Sequence, residues 1–169
     1  MKYGIALFPS KDLQDLVNRY RKRYDTHYPL IPPHITVKEP FELQEGEVEA
    51  FIKKVQAAKK GIGPIRLVAS RVHSFWPVNN VIYLRVEDCP ALTELHERLH
   101  GPDFPNTKAY RFVPHITIAQ DLSDIEHNDI YDRLKMLSFY HEEMIDTFHL
   151  LYQDDTGMWH VRETFKLGD

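Results

Sequence analysis

Two short peptides in this chain are nearly the same: Pro33-His34-Ile35-Thr36-Val37 and Pro114-His115-Ile116-Thr117-Ile118. Their histidines lie 81 residues apart in a chain of 169. Each copy supplies an imidazole, whose reference pKa of about 6.5 lets it give or take a proton near neutral pH. Each also supplies a hydroxyl that can donate a hydrogen bond. A proton-transfer group beside a hydroxyl donor, present twice, is what cleavage of a phosphate diester needs when no metal takes part. The spacing, close to half the chain, predicts a duplicated unit.

Strand geometry makes each peptide half site and half core. Side chains alternate faces along a strand, so His34 and Thr36 point one way while Ile35 and Val37 point the other, into apolar packing. His115 and Thr117 over Ile116 and Ile118 repeat the pattern. If two lobes are related by a pseudo-twofold axis, both polar faces converge on one cleft and present two histidines and two threonines across a ligand.

The elements that must hold these strands can be read on either side of them. Tyr3 to Phe8 is a short β-rich run, and Ser10 can cap a helix carrying the stripe Leu13, Leu16, Val17, Tyr20 and Tyr24. A loop from Asp25 to Pro32 leads into the first motif, whose strand is expected to end by Pro40. A helix with Val48, Phe51, Ile52 and Val55 on one side stops at Gly61. Ile65 to Trp76 and Val81 to Val86 read as strands. A helix from Pro90 to His100, a loop to Phe112 and the second motif strand follow. Ser123 and Glu126 have capping-box spacing, ahead of Ile130, Leu134 and Leu137. Glu142 to Tyr152 and Met158 to Phe165 are expected to flank a hairpin at Asp154-Asp155-Thr156-Gly157.

Strand, helix, loop, motif strand, helix, strand thus recurs at an offset of about 80 residues. The expectation is a single α+β domain over 1–169. It is bilobal, with repeats near 1–76 and 80–152 and a C-terminal hairpin strand. Each pseudo-symmetric lobe carries an antiparallel sheet and flanking helices, and the active cleft lies between them.

Composition narrows the function further. With 43% hydrophobic and 27% charged residues the chain reads as an ordinary globular protein long enough for one sizeable core. No apolar stretch suggests a signal peptide or membrane span, and the one cysteine, Cys89, can form no internal disulfide. A cytoplasmic location is expected. A net charge of −4 excludes a strongly basic duplex-binding protein but not a local basic cleft. The clusters Arg19 to Arg23 and Lys53 to Lys60 are expected on solvated helix faces, opposite apolar stripes. Lys108 and Arg111, just before the second motif, are better placed for a site. Tyr110 and Arg111 are possible substrate contacts, an aromatic that could stack on a base and a guanidinium that could hold phosphate.

The two motifs resemble those of the 2H phosphoesterase superfamily, defined by two His-x-Thr/Ser peptides in bilobal proteins of this size, which includes the LigT-like RNA ligase and cyclic phosphodiesterase group. Within it the chain looks most like the small YjcG-like phosphoesterases of bacteria. By that resemblance His34, Thr36, His115 and Thr117 map onto the four motif residues. Many relatives carry a basic residue shortly after the second motif, where this chain has Ala119-Gln120-Asp121. The mechanism expected is hydrolysis of a 2′,3′-cyclic phosphate on RNA or a nucleotide. One histidine acts as base on water, the other as acid for the departing ribose oxygen, and the threonines donate to the non-bridging oxygens. It calls for no cofactor and no metal.

Other readings of the same residues stand beside this one. The cleft could bind RNA or nucleotide phosphate without turnover, or run in the ligase direction. His96-Glu97-Arg98-Leu99-His100 matches a zinc-protease pattern, but Gly101-Pro102 ends the helix at once and leaves the second histidine on a fraying terminus. His-x-His-x-His, which histidine-triad hydrolases need, is absent because Thr stands in the third position.

Overall fold

A computed structural model describes residues 1–105 and 111–168 of the chain. Its strands are β1 (Lys2–Leu7), β2 (Ile35–Glu42), β3 (Ile65–Ser74), β4 (Ile82–Val86), β5 (His115–Ala119), β6 (Tyr140–Ile145), β7 (Thr147–Gln153) and β8 (Trp159–Lys166). The helices are α1 (Lys11–Tyr24), α2 (Val48–Ala58), α3 (Pro90–Arg98) and α4 (Asp124–Leu134), and a 3-10 turn at Glu45–Glu47 precedes α2. The helix starts follow local chemistry. The Ser10 hydroxyl accepts from Leu13 N, and Ser123 and Glu126 form a reciprocal capping box.

All eight strands belong to one sheet in the order β6-β3-β4-β5-β2-β1-β7-β8. Its paired strands run antiparallel, and the two motif strands meet at its centre through the pair Ile35 and Ile116. The sheet therefore divides into two four-stranded lobes, β2-β1-β7-β8 and β5-β4-β3-β6, with the motifs on either side of the seam. This is an α+β fold of two lobes.

The lobes are not the two halves of the chain. β3, from the first half, lies beside β4 and β6, while β7, from the second half, pairs with β1. The run expected as one strand from Glu142 to Tyr152 is in fact two, β6 and β7, with Asp146 between them. β6 is one edge of the sheet and β7 is next to the other edge, yet one residue joins them. The sheet must curl until its edges approach. Asp146 holds this corner: its carboxylate accepts from Lys166 Nζ at 2.6 Å and its carbonyl from Leu167 N at 2.7 Å.

A second departure concerns β2, which continues past Pro40 to Glu42. Irregular register against β1, where Tyr3 faces Phe41 and Ile5 faces Lys38, accommodates the proline, as bulges do in strands that lack a ladder donor. A further shift, with Ala6 facing Thr36, turns Lys38 onto the face shared with buried Ile5. There Lys38 Nζ donates to Leu99 O at the end of α3 at 2.9 Å and lies 5.6 and 5.9 Å from the Phe41 and Phe104 ring centres. Burial pushes its pKa down to about 8.

The core lies between the sheet and its helices. Ile35, Val37, Ile116 and Ile118 are almost fully buried in it with Leu13, Val17, Leu92 and Leu95. Each such side chain contributes about 1.5–3 kcal/mol of burial free energy. α1 packs across the seam against β5, and α3 against β2. Each motif strand is thus covered by a helix of the other lobe, β5 by α1, which follows β1, and β2 by α3, which follows β4. Among the described residues no helix is long and apolar enough to cross a membrane.

Candidate active site

The opposite faces of β2 and β5 open into a cavity of about 890 Å³ at the seam. His34, Thr36, His115 and Thr117 all line it, and each is partly exposed there. Period-two alternation puts all four on this face, with Ile35, Val37, Ile116 and Ile118 beneath.

The two histidines are held in the same way. His34 Nδ1 lies 2.8 Å from Pro32 O, and His115 Nδ1 lies 2.7 Å from Val113 O. A carbonyl oxygen only accepts, so Nδ1 carries the proton in both rings and the neutral imidazole presents its lone pair at Nε2. Each acceptor lies two residues upstream, on the far side of the motif proline. The bond therefore fixes ring orientation from inside the motif loop.

The electrostatic settings differ. Desolvation in the cleft pushes the His34 pKa down to about 4. The Pro32 carbonyl opposes that shift, while the positive charge of Arg21 and the neighbouring His115 add to it. His115 is also lowered by desolvation, with the Val113 carbonyl opposing. Phe75 and Tyr83 stand against the His115 ring at 5.0 and 5.2 Å between centres.

Arg21 was expected on a solvated helix face, and the structure corrects this: it is 2% exposed. Nε donates to Asp25 Oδ2 at 3.1 Å, one terminal nitrogen donates to Asn18 Oδ1 at 2.8 Å, and the other to Ile31 O at 2.7 Å. Its last contact holds the loop directly ahead of Pro32, the His34 acceptor. Asp25 Oδ1 in turn accepts from His27 N and from Gln120 Nε2, each at 2.8 Å. Gln120 N also donates to Tyr24 O at 3.1 Å. Thr26 Oγ1 donates to Asp121 Oδ2, with His27 Nε2 3.6 Å from the same oxygen. Gln120 and Asp121, standing where relatives are expected to carry a basic residue, thus tie the end of β5 to the end of α1. Sequence did hold one sign of Arg21's burial. It continues the Leu13 and Val17 stripe at four-residue spacing.

The two walls of the cavity differ in character. In the lobe carrying His34, Gly4 and Ala6 leave the face of β1 low, and a small apolar cluster of Ala6, Ile31 and Leu151 is flanked by Phe8 and Trp159. A methyl at Gly4 would sit 3.8 Å from the Trp159 ring, which therefore lies beside it. Trp159 N donates to Leu30 O at 2.9 Å, linking this wall to the loop ahead of the first motif. In the other lobe Tyr83 occupies the place across from Thr117 that Ala6 occupies across from Thr36. The shelf is therefore open beside His34 and filled beside His115.

Of the remaining expectations, Arg111 is exposed and lines the cavity mouth. Tyr110 and Lys108 lie outside the described residues. The zinc-type histidines are engaged in other contacts. His100 Nδ1 donates to the His96 carbonyl at 2.6 Å, and the His96 ring is stacked on Phe112 at 4.0 Å. Among the described residues no three His, Cys, Asp or Glu side chains group as a metal site.

Comparison with known proteins agrees with this architecture. The sequence profile of the 2′-5′ RNA ligase superfamily matches residues 9–157, and the chain belongs to that family. A Halalkalibacterium halodurans protein named "Putative phosphoesterase BH1439" is 53% identical over 99% of this chain and 98% of its own length. A Bacillus anthracis protein named "Putative phosphoesterase" is 52% identical over the same shares. Among solved structures, Escherichia coli LigT in its apo form superposes with a TM-score of 0.74 at 15% identity, and TT0787 of Thermus thermophilus with 0.72 at 18%. Each covers 99% of this chain and 98% of the other, and at those identities they establish a shared fold.

Proposed function

We propose that this chain is a metal-independent phosphodiester hydrolase that opens 2′,3′-cyclic phosphates of nucleotides or RNA ends by two-histidine acid and base catalysis. The observation that carries it is the matched pair of imidazoles in one cavity, each with Nδ1–H fixed to a carbonyl and Nε2 available, each beside a threonine hydroxyl. The relatives' shared name, phosphoesterase, supports the same class, as do structures of Escherichia coli LigT complexed with 3′-AMP and with phosphate.

His34 serves as the base. Its pKa near 4 keeps it neutral, and Arg21 disfavours its protonated form. Nε2 takes a proton from water as the water oxygen bonds to phosphorus. The bond from phosphorus to one ribose oxygen breaks, and protonated His115 gives its Nε2 proton to that oxygen. The products are a phosphomonoester and a free hydroxyl. Thr36 and Thr117 donate to the non-bridging oxygens, where hydrogen bonds that strengthen in the transition state contribute on the order of a few kcal/mol each. The low apolar wall formed by Gly4, Ala6, Leu151 and Trp159 takes the base, a planar group that stacks on an aromatic ring.

The family profile, named for RNA ligation, favours one variation: attack by a ribose hydroxyl in place of water joins two chains in the same cleft. The test is turnover of 2′,3′-cyclic nucleotides and of a cyclic-phosphate-ended RNA in EDTA, with and without a second RNA carrying a 5′-hydroxyl. Phosphomonoester product in EDTA supports the hydrolase. No product from any substrate would refute it.

A further inference from the structure

Beyond the cavity, the same sheet face continues across the lobe that carries His115. Arg85 on β4 faces His115 across the β4–β5 ladder, and Tyr83 faces both Thr117 on one side and His73 on the other. Alternation places Arg85 on the Tyr83 face. Arg71, two residues before His73 on β3, sits in the register shift between Ala69 and Val72, and its charge reaches the His73 ring on that face. Arg71 is exposed and Arg85 partly so. Both guanidiniums bear on the His73 imidazole, whose pKa is lowered first by desolvation and then by Arg85 and Arg71.

This arrangement is unfavourable by the rules of sheets. Like charges on neighbouring strands repel, and among the described residues no ion pair with a carboxylate joins either arginine. Arg71 also sits at φ 67°, in the left-handed region, at the register shift between Ala69 and Val72. A bulge there re-aims the side chain and is rare for a residue other than glycine. Two unpaired cations, one on a strained bulge, extend outward from the proposed acid. Strand spacing of about 4.8 Å puts them one and two strands from His115.

We infer that Arg71 and Arg85 bind a second phosphate of the substrate, one nucleoside away from the reacting diester. The inference rests on the cyclic phosphodiesterase reading above. The second phosphate has two sources with the same chemistry: the 5′-phosphate of a mononucleotide, or the internucleotide phosphate of an RNA end. Charge-assisted bonds from a guanidinium fork suit either.

The test compares kcat/KM for three substrates: 2′,3′-cyclic AMP, the same compound carrying a 5′-phosphate, and a trinucleotide ending in a 2′,3′-cyclic phosphate. Wild type and Arg71→Gln/Arg85→Gln are measured with each. Wild type is expected to favour the two phosphate-bearing substrates over plain cyclic AMP by about tenfold or more, through KM. The double variant should lose that preference and keep its rate on plain cyclic AMP. A gain with the trinucleotide alone assigns the internucleotide phosphate; an equal gain with the 5′-phosphorylated mononucleotide assigns any phosphate at that position. Should the double variant fold poorly, wild type decides: KM for the phosphate-bearing substrates must rise more steeply with salt than KM for cyclic AMP. Equal kcat/KM for all three substrates, or a preference that survives the double substitution, overturns the second-phosphate site and leaves the hydrolase standing. No turnover of any of them overturns both.

Discussion

The Gln120 side-chain amide, at the end of the second motif strand, donates at 2.8 Å to Asp25, the residue that caps α1 and pairs with buried Arg21. One carboxylate thereby joins both lobes and orders the loop that carries the His34 acceptor. Removing Asp25 alone leaves a buried guanidinium without its counter-charge. Asp25→Ala is expected to cost about 3–5 kcal/mol in denaturant unfolding. An unchanged midpoint would show that the pair contributes nothing to the fold.

Arg21 has a separate effect on chemistry. Its charge lowers the His34 pKa and Asp25 raises it, with Arg21 the larger influence. The paired substitution Arg21→Met/Asp25→Leu removes both charges and is expected to recover much of the stability lost in Asp25→Ala. The ionisation assigned to His34 should then move up only modestly from about 4 in the kcat/KM profile, because desolvation, its largest cause, stays and the opposing charge of Asp25 goes with that of Arg21. A folded double variant with an unmoved acid limb would remove Arg21 as a positioning residue.

The Trp159 wall predicts a split between binding and chemistry. Trp159→Ala should raise KM for cyclic nucleotides by about tenfold while changing kcat little, since stacking on a base is worth about 1–3 kcal/mol. Gly4→Ala should fold normally, because the added methyl meets its neighbours no closer than 3.6 Å. A loss in kcat with unchanged KM in Trp159→Ala would place the base elsewhere.

Stability should decline on mild acidification. His34 and His96 are both held down to about 4 by desolvation, against 6.5 in the unfolded chain. Between those values the unfolded state binds more protons, so their contribution is complete above pH 6.5 and is lost as pH falls toward 4. Urea midpoints measured from pH 7.5 to 4.5 should fall through that window. A flat series would mean that neither ring is desolvated as described.

That the four candidate residues share a face was legible in the sequence, and much of their support was not. His34 and Thr36, like His115 and Thr117, share a face because strand alternation is local, and the Ser123 capping box is local for the same reason. The exchange of β3 and β7 between lobes depends on pairings distant in sequence, and a single residue, Asp146, marks the corner. Arg21 reads as surface charge among Arg19, Lys22 and Arg23. Its place on the Leu13 and Val17 stripe and the carboxylate of Asp25 four residues on distinguish it, while the Ile31 carbonyl of the loop and the Gln120 amide that braces Asp25 from the far lobe could not be read locally.

The most direct test of the central claim is kcat/KM for 2′,3′-cyclic AMP against pH, in EDTA, for wild type, His34→Ala and His115→Ala. Wild type should give a bell with its optimum on the acidic side of 6.5, since one histidine must be neutral, the other protonated, and both pKa values are lowered. Each variant should fall by about 10²–10⁴, His34→Ala losing the acid limb and His115→Ala the alkaline one. A wild-type profile with a single ionisation, or a variant that keeps its rate, would contradict a two-histidine mechanism.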